Sequence, residues 1–445
     1  MKKSAEKIID LALTMGANEC EVIISKGRSL SLKANEGTLE EHKVSGTQIA
    51  GVRLKSAGRL GTSYSESFDD ESLKSMIKTA LETSKYSKVS EHESIDASND
   101  GSKEDATNEH TWREDNTSDE EKVAAVLKLE GDVLAKGKPF KSAPYNGFSE
   151  NEGEKIIANH LGLFRSIKRR YFSGYTSALA EQNGKQSMHY YGTAGLNFKD
   201  LDLDKCINVS CDQALGLIDG SPVKTGNYAV VFDHDNLAEL WGCFLKVFSA
   251  KAAIDKVNPW AKKLGQKVAN SALTLVDDPR YIGAMGYKTF DDEGIACHPV
   301  TLIENGVFAN FLHNSATAKE MKQANNARAG RGARGSLGIS STQLAFAPGN
   351  DSDEDIKSGE YLEIVALQGL HSGVDVISGD FSFGGAGYHV KNGVRTQAVR
   401  NVTISGNFYD LILNMGPIGK TVYSNSDRSF FSPEMRFENI SVGGK

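Results

Sequence analysis

The chain is poor in several features that often declare a function. Cysteine occurs five times in 445 residues, at Cys20, Cys206, Cys211, Cys243 and Cys297. That odd, dispersed set excludes a disulfide framework and fits a reduced compartment. No apolar run approaches the roughly 20 residues of a membrane-spanning helix. The opening MKKSAEKIIDLALTMG does not read as a secretory leader, because Glu6, Lys7 and Asp10 interrupt the apolar stretch a leader requires. Positive charge is also in deficit, with 51 Lys+Arg against 58 Asp+Glu and a net charge of −7. A polyanion is therefore a poor expectation for the main partner. What remains, 39% hydrophobic and 24% charged residues, is the balance of a cytoplasmic globular protein with two or three domains.

Periodicity supplies the elements. Ile8, Leu11, Ala12 and Met15 recur at helical spacing and stop at Gly16. Alternating runs around Glu21–Ile24, Leu30–Lys33, Gln48–Leu54 and Gly61–Ser65 predict strands. A helix from about Asp70, capped by Asp69 or Asp70, follows with Leu73, Met76, Ile77, Ala80 and Leu81 on one face. Residues 87–116 are polar, acidic and nearly free of aliphatic side chains, which predicts an exposed linker or mobile loop. Ser118 with Glu121 makes a capping box opening a helix to about Leu134. Strands at Lys155–Ala180 and Ser187–Ala194 and a helix at Leu203–Leu217 come next. Beyond Asn227 the pattern is mainly β, with hairpins turning at Asn305-Gly306 and Asn392-Gly393. The predicted fold class is α+β. It comprises an N-terminal helix–sheet domain (1–90), an acidic linker (91–117), a central α/β region (118–222) and a C-terminal, mostly β domain (223–445).

Three blocks carry a resemblance. They are Gly369–Asn407 (GLHSGVDVISGDFSFGGAGYHVKNGVRTQAVRNVTISGN), Phe290–Met321 (FDDEGIACHPVTLIENGVFANFLHNSATAKEM) and, more thinly, Leu32–Leu54 followed by Gly58–Ser65. In order and spacing they are similar to the TldD/PmbA family of intracellular metallopeptidases, also called modulators of DNA gyrase. The resemblance implies a helix, after the first strand of the last domain, that bears His-Glu-x-x-x-His in the catalytic TldD members. A later cysteine is their third zinc ligand and the glutamate their general base. Three protein ligands leave the fourth zinc position open for a water the metal makes nucleophilic. Here the matching strand is Ala229–Phe232 and the matching helix Asn236–Ala250. The motif positions then fall on Gly242, Cys243 and Val247, and no cysteine follows Cys297.

The chain thus looks like the PmbA/TldE side of the family: no metal or other cofactor of its own, and inactive alone. By resemblance, zinc belongs to a TldD-like partner subunit, and the pair encloses a chamber that admits unfolded peptides. Asp291, Asp292, Glu293, Asp380 and Ser382 are the candidates for this chain's share of the chamber wall. For the acidic trio, a turn of exposed charges is an equal alternative. Whether the isolated chain forms a homodimer stays open, and neither nucleic acid nor membrane contact is expected.

Other readings are weaker. Gly330-Arg331-Gly332-Ala333-Arg334-Gly335 matches G-x-G-x-x-G without the strand-turn-helix a dinucleotide site needs. Its arginines suit a surface or cleft loop better than an isolated RGG tract. Ser382 lies in a nucleophile-elbow-like string, with Asp380 in place of the first glycine. A stand-alone hydrolase would have to use Cys243 or Cys297, which lack an evident histidine base. A modulator of DNA gyrase would have to act through protein contacts, given the acidity of the chain.

Overall fold

The computed structural model of the chain describes residues 1–89, 91–98 and 109–445. Its first half runs α1 (Lys2–Thr14), β1 (Glu19–Asn35), β2 (Thr38–Ser56), β3 (Arg59–Ser65), α2 (Asp70–Ser84) and α3 (Asp119–Ala135). It continues through β4 (Phe140–Ser142), β5 (Asn146–Asn159), β6 (Phe164–Gln182), β7 (Lys185–Gly195) and α4 (Leu203–Gly216). Asp69 caps α2 through the Ser72 N–H, and the Ser118–Glu121 capping box opens α3.

The strands form one seven-stranded sheet in the order β3-β2-β1-β5-β6-β4, with β7 on β6. The two short strands expected within 21–33 are parts of the single long strand β1. It pairs with β5 from Glu21↔Asn159 to Ala34↔Asn146. Segments 1–90 and 118–222, separate in the sequence reading, therefore share a sheet. Alternation reveals which face of a strand is buried, but not which strand lies beside it.

The acidic linker needs correction as well. Ser90 and residues 99–108 of it lie outside the described residues, but both flanks are anchored. Ile95 is buried and donates its N–H to Glu19 (2.6 Å), and Asn159 donates to the Ala97 carbonyl (2.6 Å). Thr111 is buried, its carbonyl accepting from the Arg170 N–H (2.8 Å), while the Arg170 guanidinium lies over Trp112. A polar segment can be held by its backbone, which composition does not register.

The second half contains β8 (Gly226–Phe232), α5 (His234–Phe244), α6 (Ala250–Ile254), β9 (Leu275–Asp277), β10 (Val300–Glu304), β11 (Val307–Phe308) and α7 (Ser315–Met321). After these come β12 (Ala329–Gly330), β13 (Gly338–Ile339), β14 (Leu344–Phe346), α8 (Asp353–Lys357), β15 (Glu360–Gln368) and β16 (Asp380–Lys391). The chain ends with β17 (Val394–Asn407), α9 (Phe408–Leu413), β18 (Ile418–Ser424) and β19 (Phe430–Gly443). Ten of these strands make a second sheet, ordered β11-β10-β9-β14-β19-β17-β16-β15-β8 with β18 on β19. Both Asn-Gly hairpins form, with φ of 48° and 80° at Asn305-Gly306 and 47° and 77° at Asn392-Gly393. Positive φ at both central residues is what the type I′ turn requires.

The largest core lies between this sheet and α5, around Trp241, Phe244, Phe248, Phe308 and Phe437. The helix expected over Asn236–Ala250 is broken: α5 stops at Phe244 and a 3₁₀ turn covers Leu245–Phe248. The tighter turn lets successive Val247 and Phe248 both enter the core. With 41% strand and 23% helix the fold is α+β.

Candidate functional site

The acidic trio sits at the seam between the two sheets. Asp291 accepts from the backbone N–H groups of Glu293, Ile295 and Ala329, each at 3.0 Å. Asp292 pairs with Lys155 of β5 (2.6 Å) and accepts the Arg331 N–H (2.7 Å). Glu293 accepts the Ser315 N–H (2.9 Å) and lies 3.6 Å from Arg53 of β2. Glu21 of β1 closes the cluster, 3.3 Å from Arg53 and 2.9 Å from Arg331. Burial raises the Asp291 carboxyl above its ordinary range, with Glu293 adding to the effect and the backbone donors opposing it.

Asp291 and Glu293 are buried, so they form neither a chamber wall nor an exposed turn. Glu293, through Arg53 of β2, and Asp292, through Lys155 of β5, tie the two halves together, while Asp291 braces its own loop through backbone N–H groups. The arginine loop is corrected with them. Arg328 and Arg331 are buried, and only Arg334 reaches the surface, beside Glu66.

The α5 region is better placed for chemistry. Asp233 caps the helix through the Asn236 N–H (2.8 Å), and burial pushes its carboxyl up to about 6. Gly242 is exposed, Cys243 is half-buried, and Val247 lies inside the core beyond the helix end. Val247 is thus no position for a ligand. Reading the motif one turn earlier puts Ala238, Glu239 and Cys243 in the His-Glu-x-x-x-His frame, which keeps the glutamate and replaces both histidines. Glu239 is exposed, and its carboxyl is raised by partial burial and by Asp235, with His371 opposing. Burial, then Glu239, raises the Cys243 thiol, so it is a poor thiolate.

The metal that the resemblance implies for catalytic members finds no fit here. Among the described residues, no group of three or more His, Cys, Asp or Glu side chains is placed to hold an ion. Asp380 and Ser382 lie apart from the trio, on the exposed face of β16, opposite Asn407 and Ser405 of β17. Asn407 donates to Asp380 (2.9 Å), and this bond, with the neighbouring Ser378 hydroxyl, holds the carboxyl below the ordinary range.

Sequence reasoning missed a cleft of about 530 Å³ over one face of β6 and β7. Tyr171 and Tyr175 of β6 and Met188 and Tyr190 of β7 line it, with Tyr145 at the rim and Asp427 contributed by the second half of the chain. Tyr171 and Tyr175, four apart and so on one face of a strand, were a legible signal. Asp427 was not, because it arrives from more than two hundred residues away by tertiary packing alone.

Comparison with known proteins bears on this geometry. Residues 20–84 match the PmbA/TldA metallopeptidase domain 1, residues 112–218 its central domain and residues 225–444 its C-terminal domain. The chain belongs to the PmbA/TldD family. This family member is 22% identical over 443 residues to the metalloprotease PmbA of Escherichia coli O157:H7, covering 98% of this chain and 96% of the relative. Its fold is that of a proposed modulator of a DNA gyrase from Thermotoga maritima (TM-score 0.88, 24% identity, 99% of both chains). It is also that of TldE from Thermococcus kodakarensis (TM-score 0.80, 19% identity, 99% of this chain and 100% of that one). No helix among the described residues is long and apolar enough to cross a membrane.

Proposed function

We propose that this PmbA/TldD-family chain is a TldE-like, non-catalytic cytoplasmic subunit that assembles with a zinc-bearing TldD-like subunit for proteolysis of unfolded peptides. One observation carries the reading: the helix that follows β8 is well packed, yet neither frame of the motif, at Gly242, Cys243 and Val247 or one turn earlier at Ala238, Glu239 and Cys243, puts a histidine on it. Glu239 alone has nothing to act through, since a general base in such a site works on a metal-bound water. The fold likeness to TldE supports the same assignment. The alternative of a cysteine hydrolase is disfavoured by the raised Cys243 thiol. Cys297 is no better, being fully buried with its sulfur 3.4 Å from the Ala327 carbonyl.

The test is co-expression with a TldD-like paralogue. A stable hetero-complex on sizing chromatography, with casein hydrolysis by the complex and not by this chain alone, is the expected result. Zinc at one equivalent in the isolated chain, or hydrolysis by it that Cys243→Ala abolishes, would overturn the reading.

A further inference from the structure

The cleft on β6 and β7 has the makings of a recognition site. Successive side chains of a strand alternate between faces, so Tyr171, Ser173 and Tyr175 share a face with Met188, Tyr190 and Gly192 across the ladder. The opposite face is covered by α4, whose Ser210 hydroxyl donates to the Thr176 carbonyl (3.0 Å). On the open face Tyr190 is 66% exposed, Tyr145 59% and Met188 47%. Large apolar side chains gathered this way, outside any core, mark a contact surface.

The electrostatics choose the ligand. Of the lining side chains only Asp427 is charged, and its charge bears on Tyr171. The carboxylates of Glu239 and Asp235 act on Tyr190, and Asp235 accepts the N–H of Ser426 beside Asp427 (2.8 Å). The nearest cation along the same face of β6, Arg169, is committed to the Tyr287 carbonyl (2.6 Å), and Lys205 lies over Tyr191 on the opposite face. Negative ring faces with carboxylates beside them favour a cation that carries an apolar stem.

The edge of β7 supplies the rest. Its two-residue turn, Asn183-Gly184 with φ of 52° and 74°, makes Gln182↔Lys185 the hydrogen-bonded pair. Counting by twos, Gln186, Met188, Tyr190 and Gly192 direct their N–H and C=O groups away from β6. The Gln186 carbonyl indeed accepts from Arg400 (3.0 Å). Among the described residues, Met188, Tyr190 and Gly192 make no backbone bond beyond β6. The residues whose side chains line the cleft are therefore those whose backbone is open to an added strand.

We propose that this cleft binds an extended peptide along the open edge of β7, with a Lys or Arg side chain of that peptide seated among Tyr171, Tyr175, Tyr190 and Asp427. This deepens the preceding reading, on which it rests for the nature of the ligand, by giving the subunit a preference for basic unfolded chains.

The test uses the full chain and a fluorescein-labelled decapeptide with lysine at alternate positions, beside the same peptide carrying norleucine or glutamate. In fluorescence anisotropy the lysine peptide should bind about tenfold more tightly than either, the scale of a desolvated cation–π contact. A basic peptide also adheres loosely to a chain of net charge −7, so the deciding variant leaves charge alone. A Cβ at Gly192 meets only ordinary contacts, with Tyr175 Cβ at 3.8 Å, so Gly192→Val should fold and narrow the cleft. It should weaken the lysine peptide about tenfold, and Asp427→Asn should erase much of the preference over norleucine. Equal binding of lysine and norleucine peptides, or unchanged lysine-peptide affinity in a Gly192→Val protein with native circular dichroism, sinks the proposal. Failure of hetero-complex formation bears on the subunit assignment alone, because peptide binding is read on the isolated chain.

Discussion

Arg328 shows how a residue's role can be opposite to what its neighbours in sequence suggest. It lies in an Arg-Gly-rich loop of surface appearance, yet it is fully buried. It donates to the Asp277 carboxylate (3.3 Å) and to the carbonyls of Asp277, His298, Asn326 and Ala327. Arg328→Met leaves the buried Asp277 carboxyl without its cation. The expected loss is about 3–5 kcal/mol of stability, read from the denaturant midpoint. Asp233 offers a pH test at the same scale. Its folded carboxyl, pushed up to about 6 by burial, holds a proton more tightly than in the unfolded chain. The stabilisation from that proton is complete below the unfolded value near 4 and is lost as pH rises to 6. Asp233→Asn keeps an N-cap acceptor, so its stability relative to the parent should improve between pH 4 and pH 6. A pH-independent difference in melting temperature would contradict this.

Among the elements, close approach of backbones is decisive. A Cβ at Gly51 of β2 would fall 1.9 Å from the Ala333 carbonyl oxygen. Gly51→Ala must therefore push the Gly330–Gly335 loop away from the first sheet, at an expected cost of about 1–3 kcal/mol in urea unfolding. At the start of α3 the consequences are local. Ser118→Ala removes one half of the capping box and should cost about 1 kcal/mol by the same measurement, without altering the seam. Caps of this kind were readable because both partners lie within one turn. The break after Phe244 was not, since the apolar stripe of α5 continues unbroken in sequence and only the shape of the core selects the 3₁₀ turn.

On the scale of the whole molecule, the seam of Glu21, Arg53, Glu293 and Arg331 joins the two sheets with charges removed from water. Arg331→Met strands Glu21 beside a single remaining arginine. Calorimetry should then show one cooperative transition in the parent, and in the variant a first sheet that melts separately at lower temperature. A single transition in both would show that the sheets are held by other contacts.

By itself the sequence determined what depends on neighbours within a turn or two. The α+β class, the Ser118 capping box, a cap at Asp69 or Asp70, the Asn-Gly hairpins and the absence of His-Glu-x-x-x-His from the helix after β8 all belong here. Family membership was equally legible, carried by contiguous blocks. Tertiary structure decided whatever requires partners far apart in the chain: the joining of 1–90 and 118–222 in one sheet, the burial of Asp291, Glu293 and Arg328, and the meeting of Asp427 with the tyrosines of β6 and β7. The physical reason is that periodicity fixes the direction a side chain takes from its own backbone. What it meets there, a cation, a carbonyl or water, is set by segments whose position no local pattern encodes.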